Sequence, residues 1–144
     1  MTIEEIMEMW EKDAHIDVTE LGEEAIKIPK LHSKYYKIFV MERARLMKLQ
    51  SDMKKLKLEK YEFYTQGPNE ETRKKGWEMP AKGIILKADV PMYMEADQDI
   101  IDLTLKIGYA NEKVEFLESI IKTLPNRGYN IKSGIEWRKF VMGA

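Results

Sequence analysis

The hydrophobic residues of this chain recur at intervals of three and four, which is the period of an amphipathic helix. Near the start, Thr2 and Glu5 stand at the spacing of a capping box, and Asp17 and Glu20 repeat that spacing. Because apolar residues follow each pair at helical intervals, the pattern predicts two short helices. The first helix begins after Thr2, and the second covers about residues 19–28.

A long helix is predicted over residues 31–65, after Pro29 has ended or kinked the preceding one. No glycine or proline interrupts this segment, and its Ala, Leu, Met, Lys, Arg and Glu residues favour helix. One side carries an apolar stripe that can be buried: Phe39, Leu46, Leu49, Met53, Leu56 and Phe63. The other side carries basic residues: Arg43, Arg45, Lys54, Lys55 and Lys57.

Glycines and prolines break the helical pattern over residues 67–98, which we interpret as an irregular connector. Two apolar runs within it, residues 84–86 and 90–94, predict at most two short strands. Pro91 assigns the second strand to a sheet edge, because proline cannot donate a ladder hydrogen bond.

The clearest periodicity follows the connector. Apolar residues spaced alternately by three and four form a heptad seam: Ile100, Leu103, Ile107, Ala110, Val114, Leu117, Ile121 and Leu124. Such a seam packs either against another helix of the same chain or against another copy, and we favour self-association. Residues 126–128 predict a helix stop, and residues 129–142 predict a last short helix. The chain therefore closes as a helical hairpin.

Together these elements predict a mainly α fold in one compact domain. Residues 1–66 form an N-terminal helical region with the long basic helix, and residues 67–98 form the connector. Residues 99–144 form a C-terminal helical region that mediates oligomerisation. A chain of 144 residues is long enough for one domain with a real core, and too short for two comfortable ones.

The charges are strongly segregated, although the formal net charge is only −1. Residues 1–26 contain nine acidic residues and one basic residue, whereas residues 27–60 contain eleven basic and three acidic residues. A basic helix with so few acids at helical spacing can track several phosphates of a nucleic acid. An acidic protein surface, or the acidic N-terminal segment of the chain itself, is the alternative partner for the same face.

Aromatic residues come directly after the basic segment, and a single nucleic-acid strand needs cations for its phosphates and flat rings for its bases. Lys57 and Lys60 lie beside Tyr61 and Tyr64, either of which could stack a base or belong to the core. The candidate DNA-binding residues are Lys57, Lys60, Tyr64, Tyr61, Lys54, Lys55, Arg43 and Arg45.

Several classes of function find no support in the residues. The chain has no cysteine, its two histidines lack the spacing of a zinc site, and it has no glycine-rich phosphate loop. The acidic run over residues 95–102 lacks the glycine of a calcium loop, and Asp97 or Asp99 as a helix cap explains it better. We therefore expect neither an enzyme nor a bound metal or cofactor.

The charge of the N-terminus and the hydropathy of the chain predict where in the cell the protein is found. No apolar run reaches the roughly 18 residues that a membrane-spanning helix needs. The N-terminus is acidic, where a signal peptide would be basic. We expect a protein of the cytoplasm that does not bind membranes.

Short motifs in a shared order give the chain a resemblance to a known family. They include the stretch Leu-His-Ser-Lys-Tyr at residues 31–35, Phe-Tyr-Thr at residues 63–65, and Arg-Gly-Tyr-Asn-Ile-Lys at residues 127–132. In the order and spacing of these motifs the chain resembles, from end to end, the UvsY family of recombination mediator proteins of T-even-like bacteriophages.

The resemblance implies a non-enzymatic protein that binds single-stranded DNA. It also implies that the protein helps to load a RecA-like recombinase onto strands coated by single-strand-binding protein, in the cytoplasm of the infected bacterial host. Members of the family form a closed homo-oligomeric ring, which implies a hexamer or heptamer assembled by the C-terminal helical region.

The resemblance further implies which residues contact DNA. In the family this contact is attributed to a Lys-x-Arg pair just before two aromatic residues. Lys60 matches the second basic position and Tyr64 matches the second aromatic position. The first basic position is Leu58 in this chain, and Phe63 replaces a tyrosine.

The leading hypothesis is therefore an oligomeric mediator that binds single-stranded DNA. The alternative from another class is a non-enzymatic helical scaffold or adaptor that binds acidic protein partners through the same basic face. A third interpretation is a metal-assisted nuclease that uses Asp97, Asp99 and Asp102.

Overall fold

The computed structural model describes residues 1–143, and it contains helices but no strand within that range. The mainly α prediction is confirmed. In chain order the helices are α1 (Ile3–Ala14), α2 (Leu21–Ile26), α3 (Ile28–Gln66), α4 (Glu70–Lys74), α5 (Val90–Glu95) and α6 (Gln98–Val141).

The first predicted helix start is confirmed and the second is not. At α1 the Thr2 hydroxyl accepts a hydrogen bond from the Glu5 N–H at 3.1 Å, and the Glu5 carboxylate accepts one from the Thr2 N–H at 3.2 Å. Asp17 instead accepts from the backbone N–H of Thr19 at 2.9 Å and from the Thr19 hydroxyl at 2.6 Å. Asp17 therefore closes a turn before α2 and does not form a capping box with Glu20.

The long basic helix is confirmed, and it begins earlier than predicted. α3 starts at Ile28 and includes Pro29 in its first turn. Proline is tolerated there because the first N–H groups of a helix have no acceptor within the helix. α3 ends at Gln66, and Gly67 follows with a φ of +87°, a conformation that glycine adopts without steric cost.

The connector between α3 and α6 contains two short helices, α4 and α5, and neither of the two predicted strands. Val90–Glu95 forms α5, so the second predicted strand is wrong, and residues 84–86 form no strand either. Pro91 lies in the first turn of α5, where its fixed φ and missing N–H suit a helix as well as a sheet edge. The helix α4 was not predicted; Asn69 caps it by accepting from the Thr72 N–H at 2.9 Å.

The predicted C-terminal hairpin is wrong, because α6 runs without a break from Gln98 to Val141. Pro125 lies inside the helix, and the predicted stop at residues 126–128 is helical. A buried contact of Arg127 explains why the stop signal fails. Its guanidinium donates to the carbonyl oxygens of Ala14 and His15 at 3.0 and 3.2 Å, and to the Glu24 carboxylate at 3.0 Å.

The described chain divides into two units. The terminal unit comprises Met1–Ala44 and the chain from Ala110 onward, and the middle unit comprises Arg45–Tyr109. Both boundaries fall inside the long helices α3 and α6, so they differ from the boundaries predicted after residues 66 and 98.

Each unit has its own core. The core of the terminal unit includes Ile6, Tyr35, Leu117, Ile120, Leu124 and Ile131, which are all almost completely buried. The core of the middle unit consists of Phe63, Tyr64, Ile85 and Val90, with Trp77, Met79, Tyr93 and Met94 packed against it.

The heptad seam is mostly buried within a single chain. Its buried members are Ile100, Ala110, Val114, Leu117 and Leu124, and its half-buried members are Leu103, Ile107 and Ile121. A side chain that is almost completely buried in its own chain has little surface left for a contact between copies. The five buried members therefore pack within the chain, whereas self-association of the protein stays a prediction.

The acidic N-terminal segment pairs with basic residues in the terminal unit. The Asp13 carboxylate lies 2.6 Å from Lys34 Nζ and accepts from the Tyr35 hydroxyl at 2.7 Å. Burial opposes the charge on Asp13, but the hydrogen bonds from Lys34 and Tyr35 outweigh it and lower the pKa of this carboxyl. Part of the basic segment is thus neutralised by the N-terminus, as the sequence analysis considered.

Arg127→Ala should destabilise the terminal unit. The change removes two bonds to backbone carbonyls and one of the two cations that pair with the buried Glu24 carboxylate, the other being Lys27 at 3.0 Å, which should lower the free energy of unfolding by about 2 to 3 kcal/mol. Chemical denaturation followed by circular dichroism measures this loss. The control is Arg138→Ala, which removes an exposed arginine from the same helix. Equal unfolding midpoints for the two variants would contradict the role given to Arg127.

Candidate nucleic-acid interface

Three predicted DNA-binding lysines form an exposed basic face on α3 of the middle unit. We call Lys54, Lys55 and Lys57 the basic face; all three are exposed, and within residues 1–143 none has a carboxylate at ion-pair distance. Lys54 and Lys57 are three residues apart, so they project from the same side of the helix. Tyr61 lies four residues after Lys57 on that side, and 40% of its surface is exposed.

Neighbouring lysines of the middle unit differ from the basic face, because carboxylates neutralise them. Lys48 Nζ lies 3.2 Å from Asp52 Oδ1, and Lys75 Nζ lies 3.1 Å from Glu59 Oε2. Among the lysines of α3 that belong to the middle unit, those without a carboxylate partner within residues 1–143 are therefore the three of the basic face.

The two predicted arginines lie on α3 in different units. Arg43 belongs to the terminal unit, where its guanidinium is 5.0 Å from the centre of the Phe39 ring. Arg45 belongs to the middle unit and is exposed. Both guanidinium groups thus remain at the surface, with Arg43 held against an aromatic ring.

The predicted exposure of Lys60 is wrong. Only 3% of Lys60 is exposed, and its Nζ lies 2.8 Å from Asp99 Oδ2 and 3.1 Å from Asp97 Oδ2. The same ammonium group lies 3.7 Å from the centre of the Trp77 ring. Because two carboxylates more than cancel its charge, Lys60 adds no net positive potential to the surface.

Of the two alternatives for Tyr64, a base-stacking ring or a core residue, the structure shows the core residue. Tyr64 is buried in the core of the middle unit, and its hydroxyl donates to Asp97 Oδ2 at 2.6 Å. Burial and the Asp97 carboxylate both raise the pKa of Tyr64, so the hydroxyl stays protonated and remains a donor. Tyr64 therefore has no free ring face for a base.

Asp97 connects these buried groups to the start of α6. Its Oδ1 accepts from the backbone N–H of Ile100 at 3.1 Å, which confirms the predicted role of Asp97 as a helix cap. Burial opposes the charge on Asp97, but the hydrogen bonds from Tyr64, Ile100 and Lys60 outweigh it and lower the pKa of the carboxyl. We call Lys60, Tyr64, Asp97 and Asp99 the Asp97 cluster.

An apolar groove beside the basic face was missed by the sequence analysis. Lys57 and Tyr61 line it from α3, Met94 lines it from α5, and Ile101 and Leu105 line it from α6. Its volume is about 510 Å³. The residues are far apart in the sequence, and the available signal was Ile101 and Leu105, two apolar residues that lie off the heptad seam.

Comparison with known proteins identifies the family. The model of the family described as "Recombination, repair and ssDNA binding protein UvsY" matches residues 9–144. The chain belongs to the UvsY family. It is 22% identical to the recombination protein UvsY of Enterobacteria phage T4, over 99% of both chains.

Solved structures of a UvsY protein have the same fold. The recombination mediator protein UvsY of bacteriophage T4 has been crystallised in several lattices. One crystal structure matches with a TM-score of 0.80 and 22% identity, over 99% of this chain and 98% of the other. A second matches with a TM-score of 0.78 and 20% identity, over 97% and 98% of the two chains.

Membership of the UvsY family gives the general function of the chain: it is a recombination and repair protein that binds single-stranded DNA. This agrees with the DNA-binding class predicted from the charges and the resemblance. Among residues 1–143, no helix is long and apolar enough to cross a membrane.

Asp97→Asn should destabilise the middle unit, and the effect should depend on pH. The change removes the negative charge to which Lys60 and Tyr64 donate, which should lower the free energy of unfolding by about 2 to 3 kcal/mol at neutral pH. Because folding lowers the pKa of Asp97 below its ordinary value of 3.8, this stability is present above that value and is lost as the pH falls through the lowered pKa. Thermal unfolding of both proteins between about pH 7 and pH 2 measures the difference.

The expected result is a gap between the two melting temperatures that is widest at neutral pH and closes in acid. Asp102→Asn is the matched control, because Asp102 is exposed and accepts a side-chain hydrogen bond from Gln98, one helical turn earlier. A gap for Asp97→Asn that stays constant over the whole pH range would contradict the charged role of Asp97.

Proposed function

We propose that this protein is a recombination mediator. It binds single-stranded DNA as a homo-oligomer, and it promotes loading of a RecA-like recombinase onto strands coated by single-strand-binding protein. It acts in the cytoplasm of the infected bacterial host. The observation that carries the proposal is the basic face, three exposed lysines without carboxylate partners in a member of a family that binds single-stranded DNA.

The basic face suits a flexible, highly charged strand. Lys54 and Lys57 are three residues apart, which separates them by about 4.5 Å along the helix axis. Long lysine side chains at this spacing can follow neighbouring phosphates of one strand. Because phosphates carry no sequence information, binding at this face should show little base preference and should weaken steeply with salt.

Lys60 and Tyr64 are not part of the proposed interface. Moving Lys60 toward a phosphate would leave Asp97 and Asp99 without their cation, and moving Tyr64 would open the core of the middle unit. We assign DNA contact to Lys54, Lys55, Lys57 and Tyr61, with Arg45 as a further cation on the same unit.

Assembly into a hexameric or heptameric ring would multiply the weak contacts of each subunit. Once one subunit has bound a strand, the next subunit meets that strand at a high effective concentration. The surface that we assign to assembly is the exposed apolar end of α6 with the residue that follows it: Tyr129, Trp137, Phe140, Val141 and Met142. Large apolar side chains exposed together in this way are typical of protein contact surfaces.

A strand held by many subunits can be transferred between two other proteins. The ring competes with single-strand-binding protein for phosphates, and it presents the freed strand to the recombinase. No single contact needs to be strong, because avidity supplies the overall affinity and each contact can be released in turn.

Removing two lysines of the basic face should weaken DNA binding. For Lys54→Ala/Lys57→Ala we expect an affinity for a fluorescent oligothymidylate that is about tenfold lower at moderate salt. The plot of log affinity against log salt should become less steep by about 0.7 for each phosphate that the variant no longer binds. Fluorescence anisotropy at several salt concentrations measures both quantities.

The control for this variant is Lys74→Ala/Lys82→Ala, which removes the same charge from exposed positions of the middle unit outside α3. An equal loss of affinity in both double variants would mean that net charge, and not the basic face, drives binding. Salt-insensitive binding, or no binding by the unaltered protein, would favour an adaptor for acidic proteins instead.

Phe140→Asp should reduce both the assembly and the mediator activity. A charge within the apolar end of α6 would have to be buried without a partner in the assembled particle, so we expect a lower mass by light scattering. Loading is measured as the ATPase activity of the recombinase on coated strands, and the variant should stimulate it several-fold less. Leu86→Asp, at an exposed position of the middle unit, should leave both unchanged. A full-sized but inactive Phe140→Asp particle would contradict the assembly surface.

A further inference from the structure

We propose that the apolar groove beside the basic face receives unstacked bases of the DNA strand whose phosphates contact Lys54 and Lys57. The proposal rests on the proposed function, because it concerns the same strand and the same unit. It adds a second binding element, formed by α5 and the start of α6, to an interface that the sequence placed on α3 alone.

The groove has the size and lining of a ligand site. Its volume of about 510 Å³ lies within the range of roughly 300 to 1,000 Å³ that is usual for small-molecule pockets. Pro91, Met94, Ile101 and Leu105 supply apolar surface, and Leu105 is 67% exposed, so this surface is accessible to a partner. Flat apolar rings could enter without displacing any part of the core.

The α3 side of the groove carries the two groups that a nucleotide requires. Tyr61 is a partly exposed aromatic ring, and Lys57 lies one helical turn before it. Lys54 continues the same side of the helix by a further turn. A base in the groove would therefore have a ring to stack against, and its phosphate would have a cation beside it.

The remaining polar groups of the groove give the occupant a direction. Glu95 lines the groove from α5 and would repel a phosphate, whereas Lys57 lines it from α3 and would attract one. The phosphates should then run along α3 with the bases pointing toward α5. An occupant with one anionic edge and one flat apolar part matches this distribution of charge.

The lining also explains tolerance of base sequence. Thr104 is the lining residue of α6 with a hydroxyl, and that hydroxyl already donates to the Ile100 carbonyl oxygen at 2.7 Å. The α6 side of the groove thus adds no free hydroxyl to the polar groups that line the other sides, Lys57, Tyr61 and Glu95. Stacking and apolar contact are available to every base, so most of the binding that the groove contributes should not depend on which base is present.

The test compares two strands of equal length, a fluorescent oligothymidylate and an abasic oligonucleotide with the same backbone charge. The full-length protein should bind oligothymidylate about tenfold or more tightly, since stacking of each base is worth about 5- to 150-fold. Leu105→Asn should lower the affinity for oligothymidylate about tenfold. It should leave the affinity for the abasic strand, the salt dependence and the particle mass unchanged.

A second groove variant and its control test whether misfolding of Leu105→Asn could explain its loss of affinity. Met94→Gln changes a side chain that lines the groove, and Met92→Gln makes the same change on α5 at an exposed position that does not line it. Leu86→Asn is the corresponding control for Leu105→Asn. Only the two groove variants should lose the preference for oligothymidylate over the abasic strand.

Two outcomes would overturn the groove proposal and leave the proposed function standing. The first is equal, salt-sensitive binding of both strands by the unaltered protein, which would mean that phosphates alone are bound. The second is a lower particle mass for the groove variants with an equally reduced affinity for both strands, which would make the groove an interface between copies. Failure of the unaltered protein to bind either strand would overturn the groove and the proposed function together.

Discussion

The Asp97 carboxylate is the interaction on which the middle unit depends. It caps α6 through the Ile100 N–H, accepts from the Tyr64 hydroxyl and pairs with Lys60, so one side chain fixes the start of α6 against α3. A buried carboxylate is costly unless it is fully hydrogen-bonded, and here three donors converge on it. The side walls of the apolar groove come from α3 and α6, so their spacing is set by the same contact.

The Asp97 cluster also decides which lysines at the end of α3 are exposed. Lys60 belongs to the basic segment and matches a basic position that the family resemblance assigns to DNA contact, yet it lies between two carboxylates and the Trp77 ring. Its charge is used to hold the unit together. The basic face, which consists of Lys54, Lys55 and Lys57, therefore lies on the part of α3 that points away from this cluster. Leu58, at the family's other basic position, is exposed beside these lysines.

The apolar groove and the apolar end of α6 suit different partners. The groove is concave, belongs to the middle unit and has a cation and an aromatic ring at its edge, which suits a nucleotide. The end of α6 is a helix surface of the terminal unit, where Trp137 and Phe140 stack on each other at 5.6 Å and remain exposed. A surface of this kind suits another protein chain. In the proposed function, DNA contact and assembly therefore use different surfaces.

The sequence by itself determined the features that depend on local chemistry: the mainly α class, the Thr2 cap, the uninterrupted α3, the Asp97 cap and the excess of lysines on α3. Each of these follows from residues within one or two helical turns.

Tertiary structure decided the rest. Residues 126–128 and Pro125 signal a helix end, but Arg127 is held by Ala14, His15 and Glu24, and the helix continues. Pro91 suits a sheet edge or a first helical turn equally, and only packing of Val90 in the core selects the helix. Lys60 is buried and Lys57 is exposed because the carboxylates that pair with Lys60 lie about forty residues away in the sequence. The fold brings these charges together, so neighbouring residues in the sequence do not indicate which lysine is paired.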